Sequence, residues 1–211
     1  MSQYQAAFCA QSYYHVFNHS VDPELLFRNK ENYRFFLDRV RKYLLPVAGF
    51  YAYNLLGNHF HFLIRIRDEA VLRQYHEQVV RPGSKPLQDH ELAGFVLQQF
   101  SNFQNSYAKS YNKVFRRMGR LFIESVKRVE VRGDESLVRV LRYIHYNAVH
   151  HKMCRGLYDW PHNSYHVFLT DGPTMLQRQE VLDWFGGREG FLGFHEAHPP
   201  DATRGFESLC E

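Results

Sequence analysis

Two runs of strand-forming residues, AGFYAYNLL over 48–56 and HFHFLIRI over 59–66, flank the dipeptide Gly57-Asn58, and this arrangement constrains the fold more than any other feature of the chain. Glycine and asparagine supply turn chemistry, so the two runs are expected to pair as an antiparallel hairpin. In the second run His59, His61, Leu63 and Arg65 alternate with Phe60, Phe62, Ile64 and Ile66. Successive strand side chains point to opposite faces, which places both imidazoles on one face and the phenylalanines on the buried one. At strand rise the two histidine Cα atoms lie roughly 6.6 Å apart. That spacing lets both rings reach one ion through bonds of about 2.1 Å. Two hydrogen-bonded surface histidines would give the same pattern.

Residues 12–18 (SYYHVFN) read as a preceding strand, closed by Asp22-Pro23. Asn29 suits an N-cap, and Tyr33, Phe36, Leu37, Val40, Tyr43 and Leu44 recur at helical spacing until Pro46 stops them. A looser segment around Pro82, Gly83 and Pro86 leads to a second helix from about Glu91 to Tyr111, with Leu92, Phe95, Val96, Phe100, Phe103 and Tyr107 on one face. Residues 125–132 suggest another strand. Asp134 then suits the N-cap of a helix that turns Leu137, Val140, Leu141 and Ile144 inward and ends near His150. A Trp-Pro-led segment over 160–169 follows, then an amphipathic helix from Met175 to Phe185 stopped by Gly186-Gly187, and a frayed end around Pro199-Pro200. Strands and helices interspersed in this way predict an α+β fold, one mainly antiparallel sheet packed with helices. The length of 211 residues and the 45% apolar content suit one domain with an appendage.

Met1 to Ala10 is polar and lacks the character of a cleavable leader. No apolar run approaches the ~20 residues that cross a bilayer. Cys9, Cys154 and Cys210 are odd in number and far apart, with no CxxC pair, which fits a reduced cytoplasmic setting. The net charge of +4 permits a polyanionic partner without requiring one. Its distribution says more: Lys109, Lys113, Arg116, Arg117, Arg120, Lys127, Arg128 and Arg132 face only Glu124 and Glu130. Tyr107, Tyr111, Phe115 and Phe122 interleave with them. Basic groups beside aromatic ones suit phosphates and splayed bases, although a solvated helix face has the same composition.

On the helix after Asp134, Tyr143 and Asn147 stand at i and i+4 and share a face. Tyr143 lies at the margin of the apolar stripe, where a ring packs while its hydroxyl reaches a polar site. A core-edge tyrosine with a local hydrogen bond is the plainer reading of that helix alone. His145, His150 and His151 are expected at the surface or against a phosphate backbone.

Taken together, these motifs resemble the one-tyrosine HUH transposases, in particular the REP-associated tyrosine transposases. Tyr14-His15-Val16-Phe17-Asn18 is similar to that family's opening strand, and Gly57 through Ile64 to its metal-binding strand of His, hydrophobic residue, His. The stretch from Arg120-Leu121-Phe122 to Val131 resembles the family's middle segment, and Leu141 through Val149 its nucleophile helix. Trp160-Pro161 with Ser164-Tyr165 is similar to the segment that follows, so the likeness runs over about residues 12–168 in consistent order. Gly57 and Ala148 stand where the family commonly has proline.

The resemblance implies a ferredoxin- or RRM-like palm over 1–169, with 170–211 a C-terminal helical extension of unassigned role. It further implies that His59, His61 and Asn147 bind a divalent cation, Mg²⁺ or Mn²⁺, and that Tyr143 is the nucleophile. The implied substrate is single-stranded or hairpin DNA, cut through a 5′-phosphotyrosine intermediate by a monomer or homodimer without a membrane partner. Lys109, Lys113, Arg116, Arg117, Arg120, Lys127 and Arg128 are then the expected nucleic-acid contacts. Two alternatives stay open: a non-catalytic module that binds structured DNA or RNA, and a metal-dependent phosphodiesterase in which the histidines activate water.

Overall fold

The computed structural model describes residues 4–79 and 83–197. In chain order these form β1 (Tyr13–His19), α1 (Lys30–Tyr43), β2 (Ala48–Leu55), β3 (His59–Ile66), α2 (Glu69–Val79), α3 (Leu92–Val114), β4 (Lys127–Val131), α4 (Asp134–His150), α5 (Arg178–Asp183) and α6 (Arg188–Ala197). The four strands lie in the order β2-β3-β1-β4 with every pair antiparallel. With α1 joining β1 to β2 and α3 joining β3 to β4, this is the split βαβ arrangement of ferredoxin-like folds. The expected α+β class and the central antiparallel sheet are both present.

The hairpin forms where Gly57-Asn58 places it. Leu55 pairs with Phe60, and the Leu56 N–H donates to the His59 carbonyl at 2.9 Å. The turn is also tied to the segment after β1: Leu26 N–H donates to the Gly57 carbonyl and Ser20 N–H to the Asn58 carbonyl, both at 2.8 Å. These bonds satisfy backbone groups that the turn leaves outside the ladder.

The phenylalanine face of β3 packs under α1 and α3. Phe36 lies 5.2 Å from Phe60 and 4.9 Å from Phe103, ring centre to ring centre, and none of the three has measurable exposure. Burying each such ring contributes about 1.5–3 kcal/mol. The histidine face is covered by α4, with Trp184 at the end of α5 packed on Tyr13 and Tyr51 beside it.

Asn29 caps α1 as expected, its side chain accepting from the Asn32 N–H at 3.0 Å. The cap of α4 differs: Gly133, at φ 79, occupies that position without a side-chain bond, and Asp134 and Glu135 sit in the first turn. There their charges oppose the positive end of the helix dipole. The helix expected over 175–185 is confined to α5, and Gly186 and Gly187, at φ 70 and 116, end it as anticipated. Two helices had no clear sequence signal. In α2 only Leu72 is buried, too sparse an apolar stripe to read, and α6 follows directly on the glycines. Expectations around Pro82, Pro199-Pro200 and Cys210 lie outside the described residues.

Both edges of the sheet are covered. Along β2, Leu55 N–H donates to His162 O at 3.0 Å, Ser164 N–H to Tyr53 O at 2.9 Å and Gln177 N–H to Phe50 O at 2.8 Å; along β4, Arg128 N–H donates to Tyr4 O at 2.8 Å. Such covers prevent edge-to-edge association. Among the described residues no helix is long and apolar enough to cross a membrane.

Candidate active site

The site forms where α4 crosses the histidine face of β3. The 3.6-residue period puts Tyr143 and Asn147 on the helix face turned to the sheet, and both are buried, at 3% and 1% exposure. His59 and His61 project from the opposing strand and are buried too. His59 Nε2 lies 3.3 Å from Asn147 Oδ1. The Tyr143 ring meets the His61 ring edge-on, with centres 5.7 Å apart. Four residues from two segments some eighty positions apart in the chain thus come together between strand and helix.

The tautomer of His59 follows from its partners. Asn58 Oδ1 sits 2.8 Å from Nδ1, and the tautomer that donates to it carries its proton on Nδ1 and leaves the Nε2 lone pair bare. In that tautomer the lone pair and Asn147 Oδ1 face each other across 3.3 Å. Burial pushes the His59 pKa down to about 3, with nearby His19 and His151 adding to the effect, so a second proton does not resolve the opposition near neutral pH. Two acceptors aimed at one spot suit a bound cation.

His61 has a similar arrangement one step back. Its Nδ1 lies 2.9 Å from His15 Nε2, and when His61 donates in that pair its Nε2 is presented as a ligand atom. Burial holds the His15 pKa at about 3 and that of His61 well below the ordinary value. Neutral imidazoles are the form that binds metal. Among the described residues no three His, Cys, Asp or Glu side chains converge as a ligand set. The residues that could hold a cation here are therefore the two histidines together with the Asn147 amide.

Other histidines crowd the same pocket. His19 stacks on His59 at 4.5 Å, His151 meets it at 4.9 Å, and His150 lies 6.2 Å from the Tyr143 ring. The signal for His15 and His19 was available, because His15, Phe17 and His19 alternate along β1 and therefore share a face. In the register, Phe17 stands opposite His61 and His19 opposite His59. His145, expected near the surface, is fully buried instead. Its Nε2 lies 3.0 Å from Ser164 Oγ and its Nδ1 2.9 Å from His195 Nε2.

The basic residues divide. Lys109, Lys113, Arg116 and Arg120 are exposed. Arg117 is engaged by Glu24 at 2.7 Å, and Lys127 lies over the Tyr4 ring. Arg128 is buried and its Nε donates to Ala6 O at 2.6 Å, so it ties the N-terminal segment to β4 and is not presented to a ligand. The interleaved aromatics also differ from expectation: Tyr107, Tyr111 and Phe122 are buried, and both tyrosine hydroxyls donate to backbone carbonyls before α1. Tyr107 and Tyr111 pack α3 onto the core, Phe122 joins the core from the loop before β4, and none of the three offers an exposed stacking face.

No family model matches the sequence, and no curated protein matches it. Among solved structures, the fold is similar to that of a REP-associated tyrosine transposase bound to a REP hairpin, with a TM-score of 0.54, 13% sequence identity, and coverage of 80% of this chain and 86% of that chain. At that identity the likeness establishes the fold: the chain shares the scaffold of a hairpin-binding tyrosine transposase.

Proposed function

We propose that this chain is a metal-dependent DNA strand-transfer enzyme in which Tyr143 attacks a phosphodiester of single-stranded or hairpin DNA while His59, His61 and Asn147 hold Mg²⁺ or Mn²⁺ beside the scissile phosphate. One observation carries this reading: the paired imidazoles of β3 and the phenol and amide of α4 come together between strand and helix, with His59 Nε2 3.3 Å from Asn147 Oδ1 and the Tyr143 ring 5.7 Å from the His61 ring. The shared scaffold with a transposase that holds a DNA hairpin supports the choice of substrate. Exposed Lys109, Lys113, Arg116 and Arg120 supply charge for the phosphate backbone.

A free phenol has a pKa near 10, so only about one in a thousand is ionised at pH 7, a barrier of roughly 4 kcal/mol. A bound cation supplies charge stabilisation for the phosphate and the departing 3′ oxygen, several kcal/mol in comparable sites. Tyr143 supplies the attacking oxygen: its bond to phosphorus forms as the bond from phosphorus to the 3′ oxygen breaks, and the phenolic proton is exchanged for one on that oxygen. One phosphodiester replaces another, so the reaction can run back onto a different 3′ end without an energy source. Asn58 and His15 orient the two histidines from behind.

Incubating the protein with a labelled hairpin oligonucleotide and Mn²⁺ or Mg²⁺, then separating it on a denaturing protein gel, tests the reading. The expected result is a metal-dependent covalent protein-DNA band that Tyr143→Phe removes. Cleavage without a band, persisting in Tyr143→Phe, would instead identify a hydrolase, and binding with neither would identify a recognition module.

A further inference from the structure

Asn54 is the one amide in β2, a strand otherwise built of Ala, Gly, Leu and aromatic residues, and it has no measurable exposure. In register it stands opposite His61. Directly paired residues of antiparallel strands share a face, so its side chain lies on the histidine side of the sheet, under α4. There its Nδ2 donates to the Ile144 carbonyl at 2.8 Å, with the His145 carbonyl 3.5 Å away. Carbonyls only accept, so the amide nitrogen is turned to the helix and Oδ1 is turned from it. Oδ1 is buried and meets no donor among the described residues.

An amide with one half unsatisfied is a poor core residue. Leucine, of similar shape, would fill the space without leaving an acceptor stranded. Nor does α4 need the amide to stay on the sheet. The same turn is tied through His145 Nε2, 3.0 Å from Ser164 Oγ, and Ser164 Oγ in turn accepts from the Tyr53 N–H of β2 at 2.8 Å. Leu141 and Ile144 bury their side chains in the core beside it. What the Asn54 bond adds is a fixed placement. Ile144 directly follows Tyr143, and Asn147 lies three residues beyond, so a donor anchored opposite His61 sets the height and rotation of the turn that carries both over the histidine strand. Apolar contacts are non-directional and resist small slides of a helix weakly. A hydrogen bond to the backbone weakens steeply away from its geometry.

Resting on the strand-transfer reading, we infer that Asn54 is a positioning residue for Tyr143: it lowers the stability of the core and holds α4 at the depth from which the phenol attacks. The test follows covalent adduct formation by the full chain with a labelled hairpin oligonucleotide in Mn²⁺, over a range of DNA concentrations, for the parent, Asn54→Leu and Asn54→Ala. In both variants the maximal rate should fall about 10- to 100-fold, while the DNA concentration giving half that rate and the Mn²⁺ affinity from calorimetry stay within about twofold of the parent. Asn54→Leu should melt at no lower temperature than the parent, because the stranded acceptor is gone. Asn54→Ala separates loss of the bond from the bulk of leucine. The parent's maximal rate in either folded variant overturns the proposal. A loss of Mn²⁺ affinity in step with the rate also overturns it, because the effect would then lie at Asn147. Failure of both variants to fold overturns it too, since Asn54 would then hold the core together. The strand-transfer reading fails separately: no adduct in the parent chain removes that reading and this inference with it, whereas an adduct formed equally fast without Asn54 removes this inference alone.

Discussion

At His59 the two ring nitrogens are distinguished by what they face, Asn58 Oδ1 on one side and Asn147 Oδ1 on the other. In the proposed metal site that difference would direct Nε2 toward the ion, and neither partner is visible in a His-x-His motif alone. His15 stands behind His61 in a similar position, its Nε2 2.9 Å from His61 Nδ1. His15→Phe keeps the ring volume but removes the nitrogen, and should weaken Mn²⁺ binding about 10- to 100-fold while the fold persists. Titration calorimetry with Mn²⁺ checks this, and an unchanged affinity would remove His15 from the site. Arg128 illustrates the opposite case, a basic residue whose sequence context suggested nucleic acid but whose guanidinium serves the Ala6 and Val126 carbonyls. Arg128→Met should therefore cost about 1–3 kcal/mol of stability by leaving those carbonyls unpaired. Urea unfolding measures that loss, and DNA affinity beyond it should hardly change.

Among the elements, α4 decides the site because it is gripped on both sides. Toward the sheet it presents Tyr143 and Asn147; on its other side runs a buried chain with a fixed direction. Phe191 O accepts from His195 Nδ1 at 2.8 Å, which leaves His195 Nε2 to accept from His145 Nδ1 and His145 Nε2 to accept from Ser164 Oγ. Tyr146 adds a bond from its hydroxyl to His195 O at 2.8 Å. The segment after Thr170 thus helps to hold the helix that carries the proposed nucleophile. His195→Ala leaves the His145 N–H unsatisfied and opens a cavity, and should cost about 2–4 kcal/mol in urea unfolding. A loss near zero would show that α6 packs on α4 without fixing it. The strands, α1, α3 and α4 were legible because each carries a strong apolar period bounded by caps or turn residues. Burial in α2 rests on Leu72 alone and in α6 on Phe191 and His195, so tertiary contact decides those two where periodicity is weak.

Across the whole molecule, the antiparallel sheet could be read from alternation, but the strand order β2-β3-β1-β4 could not, because register between distant strands is set in three dimensions. The same order makes the histidine cluster, since β1 and β3 are neighbours only in the folded chain. One consequence is a dependence on pH. Burial lowers His15 and His59 to about 3 and His195 to about 4, and holds His61 and His145 well below 6.5. As pH falls below about 6.5 the unfolded chain takes up protons that the folded chain refuses. Stability is therefore complete above that value and declines toward the folded pKa values, by up to about 1.4 kcal/mol per pH unit for each neutral imidazole. Urea unfolding at about pH 7 and pH 5 should show the decline; equal midpoints would contradict it.

The most direct test of the central claim is the location of the covalent bond. After reaction with a hairpin oligonucleotide in Mn²⁺, nuclease trimming and proteolysis, mass spectrometry should find a nucleotide joined through its 5′ phosphate to the peptide containing Tyr143. An adduct on another residue, or cleaved DNA with Tyr143 unmodified, would contradict the assignment of Tyr143 as the nucleophile.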